Sequence, residues 1–187
     1  MLELEKIKNA LSSSMWTQVQ DNKETKLAAV LIMIYGPEPH VIMTERPKTM
    51  DYHAGEISFP GGRWEKDDVD LLATAIREAR EEIGVEIPNN QVIGQLRPVT
   101  TLNSGFTITP FITIQEKIPL LRHTSEIESI LQIPLIQLLK TMDEDNDPSH
   151  KSIQEMYIFK FQNHLIWGAS ARMLNQITNT LLANDLL

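Results

Sequence analysis

Between Asp68 and Gly84 the chain carries the pattern that most limits what it can fold into. Leu72, Ala75, Ile76, Ala79 and Ile83 project within about 60° of one direction when residues advance by ~100° each. This spacing predicts an amphipathic helix over 68–83 with one buried stripe. Asp67 or Asp68 is placed to cap its start, and Gly84 supplies a left-handed stop. A stripe of this kind has to be covered, and the flanking sequence offers strands to cover it. Leu27 to Tyr35 is an apolar run of strand length, followed by the turn signal Gly36-Pro37-Glu38-Pro39 and a second run, Val41 to Thr44. Glu56 to Phe59 reads as a short strand ending in Pro60-Gly61-Gly62. Further strands are expected at 92–101, 106–115 and 156–161, and helices at 134–140 and 169–182. The acidic stretch 143–148 reads as an exposed turn. Strands and helices interleave without strict alternation, which predicts an α/β chain with a mixed sheet between helices.

The length, 187 residues, suits one domain with terminal decoration. Leu4, Ile7, Leu11 and Met15 fall at helical intervals, so residues 1–26 are expected to form an N-terminal helical extension and 27–187 the main domain. No apolar run approaches the ~20 residues that span a bilayer. The amino terminus mixes acids and lysines through its apolar positions, unlike a secretory signal. The absence of cysteine excludes disulfides and thiolate metal sites and suits a reducing cytosol, so a cytoplasmic location is expected. Seventeen basic residues against 25 acidic ones give a formal charge of −8. Without a basic run, neither nucleic acid nor a membrane surface is an expected partner. A phosphate-bearing ligand would have to be met by bound cations or a few local arginines.

The polar side of the 68–83 helix is where chemistry is visible. Glu78 and Glu82 lie about 40° apart around the axis with Glu81 beside them, and like charges so placed cost a helix roughly 0.2–0.5 kcal/mol. Arg77, four residues before Glu81, can brace that carboxylate. Taken alone, three glutamates read more simply as a solvated acidic face. Carboxylate oxygens converging from one helical turn are also what Mg²⁺ or Mn²⁺ requires, and Mg²⁺ commonly bridges carboxylates to phosphates. Gly61-Gly62, lying after a strand and before this helix, allows a tight turn and a close backbone approach to a ligand.

Gly62 followed by Arg77-Glu78-Ala79-Arg80-Glu81-Glu82-Ile83-Gly84-Val85 resembles the Nudix box: glycine, spacer, then Arg-Glu-apolar-X-Glu-Glu-X-Gly-apolar. The spacer is one residue longer than usual, and the position of its customary glutamate holds Val69, for which Asp70 or Asp68 can stand in. This expansion is similar to that of one Nudix branch, the coenzyme A pyrophosphatases. Ile42-Met43-Thr44-Glu45-Arg46, the run His53-Ala54-Gly55 through Phe59-Pro60-Gly61-Gly62, Tyr157-Ile158-Phe159 and Ile166-Trp167-Gly168-Ala169-Ser170-Ala171 resemble the same branch, so the likeness covers roughly 27–182. It departs from the branch signature at Asp51, where an arginine is usual, and at Pro47, where serine or alanine is usual.

The resemblance implies a Nudix-type α/β/α sandwich with a mixed β-sheet and a metal-dependent hydrolase that cleaves a diphosphate. On it, Glu78, Glu81, Glu82 and Glu126 would hold Mg²⁺ or Mn²⁺. Arg77 would orient Glu81, the favoured base, with Glu82 and Glu126 as the other candidates. Arg46, His53, Gly61 and Gly62 would bind the small-molecule nucleotide substrate. That substrate would be coenzyme A or acyl-CoA, cut to 3′,5′-ADP and (acyl-)4′-phosphopantetheine. Other Nudix substrates, ADP-ribose, NADH or dinucleotide polyphosphates, are the alternative within enzymes. A non-catalytic nucleotide-binding regulatory module is the alternative outside them, and a repulsive acid cluster argues against it. A homodimer would be ordinary for the family, although no interface is legible. Trp16, Trp64 and Trp167 read as packing residues, and Met33, Met43 and Met50 as core fillers.

Overall fold

The structure is a computed structural model and describes residues 2–17, 26–49, 55–101, 104–118, 120–146 and 156–187. In chain order its elements are α1 (Leu2–Ser13), β1 (Lys26–Tyr35), β2 (His40–Glu45), β3 (Ile57–Ser58), β4 (Gly61–Arg63), α2 (Leu71–Ile83), β5 (Val92–Gln95), β6 (Val99–Thr100) and β7 (Phe106–Gln115). There follow β8 (Ser129–Pro134), α3 (Leu135–Leu139), β9 (Asp143–Glu144), β10 (Tyr157–Phe161), β11 (His164–Ile166) and α4 (Gly168–Leu182).

β1 is the spine because it is apolar on both faces. Ala29, Leu31 and Met33 point to one side and pack with Ala75, Ala79 and Ile83 of α2. Val30, Ile32 and Ile34 point to the other and pack with Met173, Leu174 and Ile177 of α4. A strand side-chain period of two produces this division, and a strand buried on both sides reads as one continuous hydrophobic run. β1 pairs in parallel with β7 from Lys26↔Phe106 to Tyr35↔Gln115. Its other neighbours, β2 and β4, are antiparallel, so the sheet is mixed, with the order β3-β2-β1-β7-β5. α2 covers one face, α1 and α4 the other: the expected sandwich is present. Among the described residues no helix is long and apolar enough to cross a membrane.

Leu4, Ile7, Ala10 and Leu11 of α1 are buried in the same apolar cluster as β1 and α4. Just beyond that helix, the Trp16 N–H donates to the Gln95 carbonyl at 2.8 Å, which lengthens the pairing along the edge strand β5. Met33 and Met43 are fully buried, as core fillers should be, while Met50 lies outside the described residues.

Several local expectations are corrected. The expected strand over 92–101 is broken into β5 and β6 at Leu96-Arg97-Pro98, where proline has no N–H to give a ladder. The diglycine is itself a strand, β4, laid against Ala28, Ala29 and Val30. Asp143 and Glu144, expected in a turn, pair with Ile158 and Tyr157. α2 begins at Leu71 because Asp70, and neither Asp67 nor Asp68, is its cap: the Asp70 Oδ1 accepts the Ala73 N–H at 2.7 Å, a contact worth about 1 kcal/mol. Leu72 and Ile76 are only half-buried, and Thr74 and Glu82 are buried in their place. Gly84, at φ 72°, ends the helix as expected.

Candidate active site

Three elements meet where the diglycine strand crosses the last turns of α2. A methyl group on Gly61 would stand 2.3 Å from the Ala29 carbonyl oxygen and 2.6 Å from the Val30 Cα. One on Gly62 would stand 2.3 Å from Glu78 Cδ. At Gly61 the obstacle is backbone and only hydrogen fits, while at Gly62 a methyl would have to push the Glu78 carboxylate aside; the two glycines let β4 lie between β1 and the carboxylates of α2.

Glu82 is buried, and its Oε2 accepts the Gly61 N–H at 3.1 Å. Burial pushes its carboxyl up to about 7, against the lowering effects of that hydrogen bond and of the Arg46 charge, while Glu78 and Glu126 add to the rise. Glu78 is also raised, chiefly by burial, although Arg77 opposes the rise. The charge of Arg46, just past β2, thus acts on Glu82, and that of Glu126, from the segment before β8, on both Glu78 and Glu82. A buried acid without a cation prefers its proton, which is the physical cause of both shifts.

Arg77 has every guanidinium nitrogen engaged. Nε and Nη2 grip the two oxygens of Asp68 at 2.9 and 3.0 Å, Nη1 reaches Glu78 at 2.8 Å and Glu81 at 3.0 Å, and Nη2 also donates to the Arg63 carbonyl at 3.1 Å. Of the two acids able to replace the customary spacer glutamate, the structure puts Asp68 on the arginine and gives Asp70 to the helix cap. Val69, at that glutamate's position, is 90% exposed. Arg77 chiefly, helped by the Glu65 N–H at 3.0 Å and the Thr74 hydroxyl at 2.9 Å, holds the Asp68 carboxyl down to about 2 against the effect of burial. Glu81, the Arg77 partner expected from the i,i+4 spacing, is the most open of the three glutamates of α2, with 44% of its side chain exposed.

The structure therefore gathers Arg46, Gly61, Gly62, Arg77, Glu78, Glu81, Glu82 and Glu126 at one place. His53, like Asp51, lies outside the described residues. Trp64 does not pack in the core as expected. It is 42% exposed, and its indole N–H donates to the Asp68 carbonyl at 3.2 Å, steadying the spacer loop. Thr74 and Thr124 were not legible as site residues, because a hydroxyl in a helix or loop carries no pattern. Thr124 is seen to matter only through its contact with the Glu82 carbonyl at 3.1 Å.

The donors available are carboxylate oxygens, the chemistry a hard divalent cation takes. Among the described residues no three acidic or imidazole groups already enclose an ion. An ion held by one or two carboxylates, waters and substrate phosphates needs no such cage, and two desolvated carboxylates with raised proton affinity are suited to exchange a proton for a cation.

Residues 25–153 match the model of the NUDIX domain. A Nudix hydrolase NudL of Photorhabdus laumondii, described as uncharacterized, is 34% identical over 154 residues, which cover 80% of this chain and 82% of that one. A protein of the same description from Yersinia pestis (strain Pestoides F) is 31% identical over 180 residues, 94% of this chain and 88% of its own. Among solved structures, a MutT/nudix family protein from Enterococcus faecalis superposes with a TM-score of 0.62 at 9% identity, over 89% of this chain and 66% of that one. At that identity the likeness is one of fold.

Proposed function

The chain belongs to the Nudix hydrolase family, and on that premise we propose that it hydrolyses the diphosphate of coenzyme A or an acyl-CoA, with Mg²⁺ or Mn²⁺, to 3′,5′-ADP and (acyl-)4′-phosphopantetheine. The observation that carries the hydrolytic part is the Glu78–Glu82 pair, desolvated and held against a diglycine strand in which a side chain at Gly61 would meet backbone and one at Gly62 would displace Glu78. The substrate part is supported by the lengthened box spacer and by the stretches Ile42 to Arg46 and His53 to Gly62, while Pro47 and Asp51 between them depart from the branch signature. Glu78, Glu82 and Glu126 would hold the divalent ion, which when bound offsets phosphate charge and polarises the P–O bonds.

The residues divide the remaining work by exposure. Gly61 and Gly62 let β4 pack closely between β1 and α2, which sets the Glu78 and Glu82 carboxylates in place. Arg46 adds a cation at the buried end of the cluster. Glu81, open to solvent and oriented by the Arg77 Nη1, takes the proton of the attacking water. The new O–P bond forms as the anhydride P–O bond breaks, and the departing phosphate leaves with that electron pair. A positioned carboxylate base contributes roughly 10²–10⁴-fold in such a step.

Glu82→Gln and Glu81→Gln should each remove most turnover while the fold persists. Product identification after incubation with coenzyme A tests the substrate, alongside ADP-ribose, NADH and a dinucleotide polyphosphate in one panel. A clear preference for ADP-ribose would reject the coenzyme A assignment and leave the hydrolase standing.

A further inference from the structure

The last carbonyls of an α-helix have no partner within the helix, and the last turn of α2 also carries the buried acid Glu82. Two of those carbonyls, of Glu82 and Ile83, are taken by a segment distant in sequence. The Arg122 N–H donates to the Ile83 carbonyl at 2.9 Å and the Thr124 hydroxyl to that of Glu82 at 3.1 Å. The same hydroxyl accepts the Glu126 N–H at 3.4 Å. A hydroxyl has one hydrogen to give and two lone pairs, so a single atom serves both bonds. Beyond Glu126, Ile127 is buried against α2, and the Glu128 N–H donates to the Glu45 carbonyl of β2 at 2.7 Å.

Glu126 is thus an exposed acid on a short bridge between α2 and β2, and the charges it faces oppose its being there. The negative charge of Glu126 opposes ionisation of both Glu78 and Glu82. Repulsion alone would turn this piece of chain outward, and the contact nearest to Glu126 that resists it is the Thr124 hydroxyl.

We infer that Thr124 is a positioning residue: its hydroxyl ties the backbone of Glu126 to the Glu82 carbonyl and so holds a loop carboxylate within reach of the cation bound by α2. The inference rests on the proposed role of Glu126 as a ligand, and its test keeps the two apart. Mn²⁺ alone is titrated into the intact protein and followed by the loss of free-ion electron paramagnetic resonance signal, for wild type, Thr124→Val, Thr124→Ser, Glu126→Gln and the double variant Thr124→Val/Glu126→Gln. Loss of a residue that orients a ligand weakens metal binding roughly 10-fold. Thr124→Val and Glu126→Gln should each do so, the double variant should be no weaker than Glu126→Gln, and Thr124→Ser should bind as wild type does. Thermal melts establish that each variant is folded at the titration temperature.

Losses that multiply in the double variant would mean independent action and overturn the inference, as would wild-type affinity in Thr124→Val or no rescue by serine. Unchanged affinity in Glu126→Gln would remove Glu126 from the ligand set and the inference with it. Mn²⁺ binding through Glu78 and Glu82 would still be read in that same variant.

Discussion

Replacing Glu82 by glutamine should make the metal-free protein more stable at the same time as it removes turnover. The structure gives the size of the effect. Burial raises the Glu82 carboxyl from 4.5 to about 7. Because the folded value lies above the unfolded one, the protonated form is favoured by folding. Its contribution is fully present below pH 4.5 and is lost as pH rises through 7. Linkage then puts the cost of ionising Glu82 in the fold at about 3 kcal/mol at pH 8 and under about 1 kcal/mol at pH 5. Glutamine has no proton to lose, and its carbonyl can still accept the Gly61 N–H. Urea unfolding of wild type and variant in a chelating buffer at pH 5 and pH 8 measures the difference. The variant should gain about 1–3 kcal/mol at pH 8, roughly 2–12 °C in Tm for a chain of this size, and little at pH 5. Added Mn²⁺ should raise the stability of wild type at pH 8 and leave the variant nearly unmoved. A variant less stable than wild type at pH 8, or a difference that does not change with pH, would refute the reasoning, since Glu82 would then not be held in the fold against a desolvation penalty.

The adjacent glycines should fail in different ways. A methyl at Gly62 meets only the movable end of Glu78, so Gly62→Ala should leave Tm within a few degrees and depress Mn²⁺ affinity and kcat. A methyl at Gly61 meets backbone, so Gly61→Ala should lower stability by about 2 kcal/mol or more, read by urea unfolding. Asp68→Asn should cost about 1–3 kcal/mol, the range for a lost hydrogen bond to a charged group, and lower kcat. Adding Val69→Glu should not rescue it, because that position faces solvent; restored kcat would overturn the assignment of Asp68 as the brace. The contribution of Asp68 is present above pH 3.8 and lost as pH falls toward 2, so the wild-type-minus-variant difference should be flat between pH 5 and 8. Mn²⁺ affinity should tighten as pH rises through about 7, with proton release seen by calorimetry in buffers of different ionisation enthalpy, because Glu82 must shed its proton to bind the ion.

Much of this protein was legible before any coordinates. The run 27–35 announced a strand, and β1 is that strand, with its burial on both faces shown by the structure. The 3.6-residue period and Gly84 fixed the existence and end of α2, since both depend on neighbours only a few residues away. The order of glycine, arginine and glutamates specified the family and the acids that meet at one place. What local pattern could not decide was which of several equivalent groups takes each role. Asp67, Asp68 and Asp70 can each cap a helix; Asp70 does so because Arg77, reaching back across the spacer, claims Asp68. Glu82 looked like part of a solvated acidic face and is buried, because the two glycines bring β4 down upon it. The hydroxyl of Thr124 meets the α2 terminus from 42 positions further along the sequence. Secondary structure follows from short-range periodicity, which a sequence displays directly. Burial of a charge, choice of hydrogen-bond partner and closure of the site follow from segments brought together by the sheet, and only the tertiary structure contains them.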